Sequence, residues 1–270
     1  MRLAVSHRTV YRFDAPIQGV VQSHRLWPCQ CENQTVIGWK VPVAGGTHGA
    51  GFRDGAGDLV DTVSVRGRVE ELAVEVTGEV ETRDLAGVLR GHRETVPPAV
   101  YLRRTWATEA DRAMTEMAEA AVAGRAGPLE RAHALAGAVR AAVDYRPGET
   151  HAETTAAEAF AHGYGVCQDH AQVLVAAAIS AGIPARYVAG YLFSDAGDAM
   201  AEASHAWAEL YVADLGWVGF DAANQCCPDE RYIRLGSGFD AQDAAPIRGL
   251  AHGVAAESLD VDVSVSQVQQ

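Results

Sequence analysis

Residues 163–171 read Gly-Tyr-Gly-Val-Cys-Gln-Asp-His-Ala and place a single cysteine where a loop turns into an apolar helix. The two glycines suit a tight turn, and Val173–Ala178 continues as a helix buried on most faces until Gly182 and Pro184 end it. A thiol in the first turn of a helix lies at the positive end of the dipole, where unpaired N–H groups favour the thiolate and can hold an oxyanion. Cys167 is therefore the candidate nucleophile, against the alternative that it is a small hydrophobe packed in the core.

The composition is that of an ordinary globular chain. Its 270 residues, 48% of them hydrophobic, suffice for one large domain or two moderate ones. The formal net charge of −13 disfavours a nucleic acid or an anionic membrane as partner, because both attract a basic face. No segment resembles a signal peptide or approaches the ~20 apolar residues of a membrane span. We therefore expect a cytoplasmic protein with no nucleic-acid and no membrane partner.

The five cysteines are odd in number, and their spacing is not that of a disulfide framework, which fits a reducing compartment. Cys29, Cys31, Cys226 and Cys227 can in principle bring four thiolates to one zinc ion. A C-x-C pair and a C-C pair lack the gaps that are usual within zinc-ligand pairs, however. We expect no metal and no cofactor, and assign these four side chains to burial or incidental exposure.

Residues 1–98 are predicted to form a small antiparallel β domain, most simply a sandwich. Val36–Val43, Leu59–Val65 and Val69–Val76 are typical of strands, with glycine-rich turns between them. The charged, glycine- and proline-containing residues 87–98 indicate a linker or a change of architecture.

Residues 99–250 combine helical and strand patterns, so the later part of the chain is predicted to be α+β. Three further helices are predicted: one after residues 108–111, one from Pro128 to Val143 and one over Thr155–Ala161. The predicted strands are Ala185–Phe193, Glu202–Val212 and Gly216–Phe220. Residues 251–270 form a tail whose strict alternation over residues 258–266 predicts a final strand.

A predicted hairpin brings a histidine towards an aspartate. Alternation over residues 204–211 puts His205 and Trp207 on one face of a strand, and residues 213–215 are short enough for a hairpin loop. With a three-residue loop Trp207 faces Asp221, and His205 lies one diagonal step from Asp221 on the same side of the sheet. A loop of two or four residues would send the two side chains to opposite faces.

Cys167, His205 and Asp221 can supply the three roles of a cysteine triad: a thiolate that attacks a carbonyl, an imidazole that holds the proton, and a group that orients the imidazole. Taken singly, each has an ordinary structural interpretation as a packed thiol, a hydrogen-bonded strand histidine or a strand-end aspartate. His170, one helical turn from the cysteine, is an alternative base, although no carboxylate is evident to orient it.

Four blocks of sequence resemble the bacterial transglutaminase-like superfamily, whose members are regarded as cysteine proteases. They are Gly-Val-Cys-Gln-Asp at 165–169, Gly-Ile-Pro-Ala-Arg-Tyr-Val-Ala-Gly-Tyr at 182–191, Ser-His-Ala-Trp at 204–207 and Gly-Trp-Val-Gly-Phe-Asp at 216–221. Residues 145–150, residues 244–249 and the β region are also similar to that family, so the resemblance covers most of the chain.

The resemblance implies an α+β fold: a papain-like transglutaminase core preceded by a small antiparallel β domain. It also implies that Cys167 is the nucleophile, His205 the general base and acid, and Asp221 the orienting group. Two positions depart from the family. His170 stands where an aromatic residue is common, which bears on the pocket beside the thiol, and Ala222-Ala223-Asn224 replaces the common Pro-Thr-Asn in the turn after the aspartate.

The expected activity is acyl transfer through a thioester on Cys167, with a peptide, a protein or a small amide as substrate. Hydrolysis and transamidation share every step up to the acyl-enzyme, so the sequence leaves both open, together with the oligomeric state. A non-catalytic peptide-binding or scaffold protein of the same fold is the alternative. Trp207 and Tyr191 are candidate cleft walls, and Asp195, Asp198 and Glu202 are expected in a solvated loop rather than a calcium site.

Overall fold

The computed structural model describes residues 1–194, 203–253 and 255–268; Asp195, Asp198 and Glu202, predicted in a solvated loop, lie outside these ranges. The strands are β1 (Arg2–His24), β2 (Gln34–Lys40), β3 (Thr47–His48), β4 (Phe52–Arg53), β5 (Leu59–Thr82), β6 (Asp144–Tyr145), β7 (Tyr164–Gly165), β8 (Ala185–Leu192), β9 (Ser204–Val212), β10 (Gly216–Phe220), β11 (Tyr232–Gly238), β12 (Ile247–His252) and β13 (Glu257–Gln267). The helices are α1 (Arg112–Val122), α2 (Pro128–Ala142), α3 (Ala156–His162) and α4 (Cys167–Ser180), with a short 3-10 helix at Pro98–Leu102.

The N-terminal strands form one seven-stranded antiparallel sheet instead of the expected sandwich. Its centre is the pair of long strands β1 and β5. Strands β12 and β13 pair with the other edge of β1, and strands β2, β3 and β4 pair with the other edge of β5. The sequence divided β5 at residues 66–68, but the strand continues through a bulge at that point. Gly67, with φ of +98°, takes the backbone conformation that this extra residue needs.

The two C-terminal strands complete this first sheet. β12 pairs with residues 19–24 of β1, and β13 pairs with residues 3–13 of the same strand. The predicted tail strand is thus observed, and residues 247–250, which the sequence grouped with the core, lie in a strand of the N-terminal sheet.

The second unit is a four-stranded antiparallel sheet, in the order β10-β9-β8-β11, with helices on one face. Ala206, Ala208 and Leu210 alternate along β9 and share one buried cluster with the apolar side chains of α4. Two other helices start at side-chain caps: Asp111 accepts the Met114 N–H at 2.8 Å in α1, and Thr155 forms a capping box with Glu158 in α3. The mixed helix and strand content confirms the predicted α+β class, and none of the described helices is long and apolar enough to cross a membrane.

The opposite face of the second sheet carries a buried charge cluster, which we define as Asp58, Arg186, Glu209 and Arg234 with the half-buried Glu94. Glu209 accepts from Arg186 at 2.7 Å and from Arg234 at 2.8 Å, while Arg234 reaches Asp58 and Arg186 reaches Glu94, both at 2.6 Å. Burial alone would raise the pKa of Glu209, but the two guanidinium charges outweigh it and lower this pKa to about 2. The cluster therefore joins the N-terminal sheet and the linker to the second sheet through paired charges.

Candidate active site

Cys167 is the first residue of α4, as the sequence predicted. The helix is held at this end by Asp169, whose carboxylate accepts the Val166 N–H at 2.8 Å and the Thr150 hydroxyl at 2.7 Å. The N–H groups of the first helical turn have no partner within the helix, so they are available to an anion beside the sulfur. Cys167 is only 8% exposed, and it lines a cavity.

The hairpin of β9 and β10 has the register that the three-residue loop predicted. Val212 pairs with Gly216 and Ala208 pairs with Phe220, so Asp221 follows directly opposite Trp207. His205 and Asp221 consequently lie on one side of the sheet, and the His205 Nε2 is 2.6 Å from the Asp221 Oδ2. The contact through Nε2 leaves Nδ1 as the ring nitrogen available to another group.

Asp221 is held by two further side chains. Asn224 donates its backbone N–H to Oδ1 at 3.1 Å and its side-chain amide to Oδ2 at 2.7 Å, and the Tyr232 hydroxyl donates to Oδ2 at 2.8 Å. The turn after Asp221 therefore still closes around the carboxylate, although Ala222 and Ala223 replace the Pro-Thr that is common in the family. Sequence reasoning missed Tyr232, because its position in β11 carries no motif that points to the carboxylate.

The His205–Asp221 pair is polarised towards the charged forms. His205 is 8% exposed, and its burial would lower its pKa, but hydrogen bonds with Asp221 and Cys167 raise the pKa to about 10. Burial acts in the opposite sense on Asp221, yet the hydrogen bond with His205 lowers the pKa of this carboxyl. An imidazolium is therefore favoured between a carboxylate and a sulfur.

The cavity at Cys167 has a volume of about 700 Å³, and His205 lines it together with the sulfur. Much of its wall consists of small side chains, namely Ala107, Ala152, Ala189, Ala206, Ala241 and Ala245. Trp106, 61% exposed, stands at the edge, and Glu153 is the only Asp, Glu, Lys or Arg among the described lining residues. Such a wall leaves room for an extended substrate around the sulfur.

The two aromatic residues expected as cleft walls do not line this cavity. Trp207 is buried with Val188 and Tyr232 and lies nearly parallel to the His205 ring, with the ring centroids 6.4 Å apart. Tyr191 is buried against the N-terminal sheet, where its hydroxyl is 2.8 Å from the His7 Nδ1. Both are core residues, and Trp207 supports His205 from behind.

His170, the alternative base, is turned away from the cavity. Its Nδ1 lies 2.9 Å from the Val166 carbonyl oxygen, and its Nε2 lies 2.9 Å from the Val143 carbonyl oxygen. Both ring nitrogens are thus engaged by backbone, and the side chain ties α4 to the end of α2. His170, which replaces the aromatic residue that is common at this position, therefore serves packing and hydrogen bonding.

The four remaining cysteines do not converge on one point. The Cys29 and Cys31 sulfurs are 3.4 Å apart, whereas the Cys226 sulfur is 3.3 Å from the Tyr232 hydroxyl. Within residues 1–194, 203–253 and 255–268, no group of three or more His, Cys, Asp or Glu side chains is placed to hold a metal ion.

Comparison with known families matches two regions of the chain. The model of the transglutaminase-like superfamily matches residues 115–222, a range that includes Cys167, His205 and Asp221. The model of the bacterial transglutaminase-like N-terminal region matches residues 3–81, which contain β2 to β4 and all of β1 and β5 except Arg2 and Thr82.

Relatives extend the similarity to the full chain. The uncharacterized protein ML0607 of Mycobacterium leprae is 31% identical over 285 residues, covering 99% of each chain. The uncharacterized protein Rv2569c of Mycobacterium tuberculosis is 37% identical over 133 residues, which cover 46% of this chain and 42% of the relative. A crystal structure from Cytophaga hutchinsonii, described as a candidate cysteine protease, has a TM-score of 0.77 at 19% identity and covers 100% of this chain and 92% of its own. The chain therefore belongs to the transglutaminase-like superfamily and carries the N-terminal region of its bacterial members.

Proposed function

We propose that this protein is a cysteine enzyme that takes an acyl group from a peptide or amide carbonyl as a thioester on Cys167. The observation that carries the proposal is the position of His205, which lines one cavity with the Cys167 sulfur while its Nε2 is held 2.6 Å from Asp221. These are the spatial relations required of a nucleophile, a base and an orienting group. A peptide-binding scaffold has no need of all three.

In the first half-reaction the Cys167 thiolate attacks the carbonyl carbon, and the negative charge that develops on oxygen is stabilised by N–H groups of the first turn of α4. The His205 imidazolium donates its Nδ1 proton to the leaving amine, and the C–N bond breaks. Asp221 stays ionised and holds the ring at Nε2. The products are the thioester, a free amine and a neutral imidazole.

In the second half-reaction the neutral His205 accepts a proton from water or from an amine as that molecule attacks the thioester. The C–S bond breaks, the thiolate is restored, and the acyl group leaves as a carboxylic acid or as a new amide. Both outcomes begin from the same acyl-enzyme, and the acceptor that reaches it decides between hydrolysis and transamidation. Peptides, proteins and small amides are the proposed substrates, and the five free thiols suit action in the cytoplasm.

Trapping the acyl-enzyme tests the proposal directly. The full chain is mixed with a library of peptide amides, quenched in acid and analysed by mass spectrometry for an acyl adduct on Cys167, with and without added amine. The expected adduct forms in the native protein, is absent from Cys167→Ala and accumulates poorly in His205→Ala. The acyl group identifies the donor, and its product in the presence of amine identifies the acceptor.

Alkylation by iodoacetamide near neutral pH separates the enzyme from the scaffold. Selective labelling of Cys167 that is lost in His205→Ala supports the enzyme. Labelling of Cys167 no faster than that of the other four cysteines favours the scaffold, and Cys227→Ser provides the control for loss of another thiol.

A further inference from the structure

Two cysteines outside the candidate active site are placed to react with each other. Cys29 is buried and Cys31 is half-buried, and their sulfurs are 3.4 Å apart, in hydrogen-bond contact. The segment is anchored on β11, because the Cys29 N–H donates to the Arg234 carbonyl at 3.0 Å. Gln34 donates its side-chain amide to the Cys29 carbonyl at 2.9 Å and to the Arg234 carbonyl at 2.8 Å. The two thiols are therefore held together by the fold.

The surroundings assign different roles to the two sulfurs. The hydrogen bond from Cys29 lowers the pKa of Cys31, opposed by burial, and the Arg234 charge and the N–H groups of Asn33 and Gln34 lower it further. The same hydrogen bond, together with burial, raises the pKa of Cys29 well above its ordinary value. Cys31 is therefore the more acidic thiol of the pair, and it lies in hydrogen-bond contact with Cys29.

Cys31 is reached through a small cavity. Cys31 lines a space of about 40 Å³ together with Gln34, Trp207, Tyr232 and Arg234. One water molecule needs ~10–15 Å³ of such space, so a molecule with two oxygen atoms can be accommodated. The same wall contains Tyr232, which donates to Asp221, and Trp207, which stacks on His205. The pair thus lies behind the candidate active site and opens to a different cavity.

We propose that Cys29 and Cys31 form a redox-active dithiol that a hydroperoxide oxidises to an intrachain disulfide. The Cys31 thiolate attacks one oxygen of hydrogen peroxide, the O–O bond breaks, and Cys31 becomes a sulfenic acid while hydroxide leaves and takes up a proton as water. Cys29 then attacks the Cys31 sulfur, a second water leaves, and the S–S bond forms. Overall two thiols lose two electrons and two protons, peroxide is reduced to two waters, and an added dithiol reverses the oxidation.

The test uses the full chain carrying Cys167→Ala, so that the candidate nucleophile takes no part. After hydrogen peroxide treatment the free thiols are alkylated, and the peptides are analysed by mass spectrometry over time. The peptide with residues 29 and 31 is expected to lose two hydrogens and become resistant to alkylation on the order of tenfold faster than Cys226 or Cys227 reacts. Dithiothreitol restores its alkylation.

Single variants separate the two roles, and circular dichroism confirms that each is folded. Cys29→Ser is expected to leave a Cys31 sulfenic acid that dimedone traps, whereas Cys31→Ser is expected to leave Cys29 unoxidised. A double Cys226→Ser, Cys227→Ser control leaves the disulfide reaction unchanged. Oxidation of Cys31 without disulfide formation, or a rate equal to that of Cys226 and Cys227, overturns the proposal. Neither result bears on the acyl-transfer reaction, since Cys167 is absent from the assay.

Discussion

His205 and Asp221 meet at 2.6 Å across a three-residue hairpin, and the carboxylate that orients the ring is itself held by Asn224 and Tyr232. The contact with Asp221 holds the imidazole ring through Nε2, so Nδ1 is the ring nitrogen that can face the sulfur. The proposed chemistry depends on this fixed ring orientation, which makes the pair the first target for substitution.

Asp221→Asn is expected to lower kcat/KM for any acyl substrate by on the order of 10³–10⁴-fold, because an amide in place of the carboxylate permits the wrong tautomer of the ring. The size and shape of the side chain are kept, but the buried His205 loses its carboxylate partner, so urea unfolding is measured alongside to separate a loss of stability from a loss of catalysis. Steady-state kinetics with the substrate identified by acyl-enzyme trapping checks the effect. Activity within a few-fold of the native protein would remove Asp221 from the mechanism.

Tyr232→Phe removes only the hydroxyl that donates to Asp221. The loss of one hydrogen bond to a charged group corresponds to about 1.5–3 kcal/mol, so we expect kcat to fall by roughly tenfold or more with KM nearly unchanged. Tyr211→Phe, on the same sheet but without this hydrogen bond, is the matched control and should keep native kinetics. Equal kinetics for the two variants would show that Tyr232 serves packing alone.

His205 should make the stability of the fold depend on alkaline pH. Its pKa is raised from 6.5 to about 10 in the folded chain, so the folded state binds the proton more tightly than the unfolded state does. This contribution is complete below pH 6.5 and is lost as the pH rises towards 10. Urea unfolding between pH 7 and 10 should therefore show a steeper loss of stability in the native chain than in His205→Gln. His252→Gln, at an exposed histidine of β12, should follow the native curve, and parallel curves for all three chains would contradict the expectation.

Glu153 is expected to select substrates by charge, because it is the only Asp, Glu, Lys or Arg among the described residues that line the cavity. Glu153→Gln should reduce the preference for peptides with a lysine near the reacting carbonyl over neutral peptides by roughly two- to fivefold, as fits an exposed ion pair. Competition between a lysine-containing and a neutral peptide measures the ratio. Glu149→Gln, outside the cavity lining, should leave the ratio unchanged; a shift of the same size there would assign the preference to overall charge.

The buried charge cluster should tolerate the loss of one partner poorly. Arg234→Met leaves Glu209 and Asp58 without a cation that each now contacts at 2.8 Å or less, and we expect a loss of about 3–5 kcal/mol in the free energy of unfolding. Arg8→Met breaks an exposed pair with Glu75 and should cost about 1 kcal/mol or less. Urea denaturation of both variants measures the difference, and similar small losses would show that the cluster contributes little to stability.

The sequence predicted the parts of the site that depend on local rules. The loop of residues 213–215 set the register of β9 and β10, and the glycines before Cys167 marked the start of α4. The support for Asp221 was missed, since Tyr232 approaches it from a strand with no motif, although Asn224 stood in the turn that the sequence singled out. Charged residues on strands are ordinarily exposed, so alternation gave no reason to bury Arg186, Glu209 and Arg234 together.

The N-terminal sheet shows a second reason why the sequence alone did not predict the whole fold. Gly67 allows β5 to continue through a bulge at a position where the sequence pattern predicts the end of a strand. In addition, β1 pairs with β13, which is distant from it in the sequence. Pairing over such a separation leaves no trace in local sequence.

The pairing of β1 with β12 and β13 has a consequence for how the N-terminal sheet assembles. The whole helical unit lies between β1 and these two partners in the sequence, so the backbone groups on that edge of β1 stay unpaired until the helical unit has been synthesised. The N-terminal sheet therefore cannot be completed before the helical unit has been made, and pairing of these distant strands is a late step in its assembly.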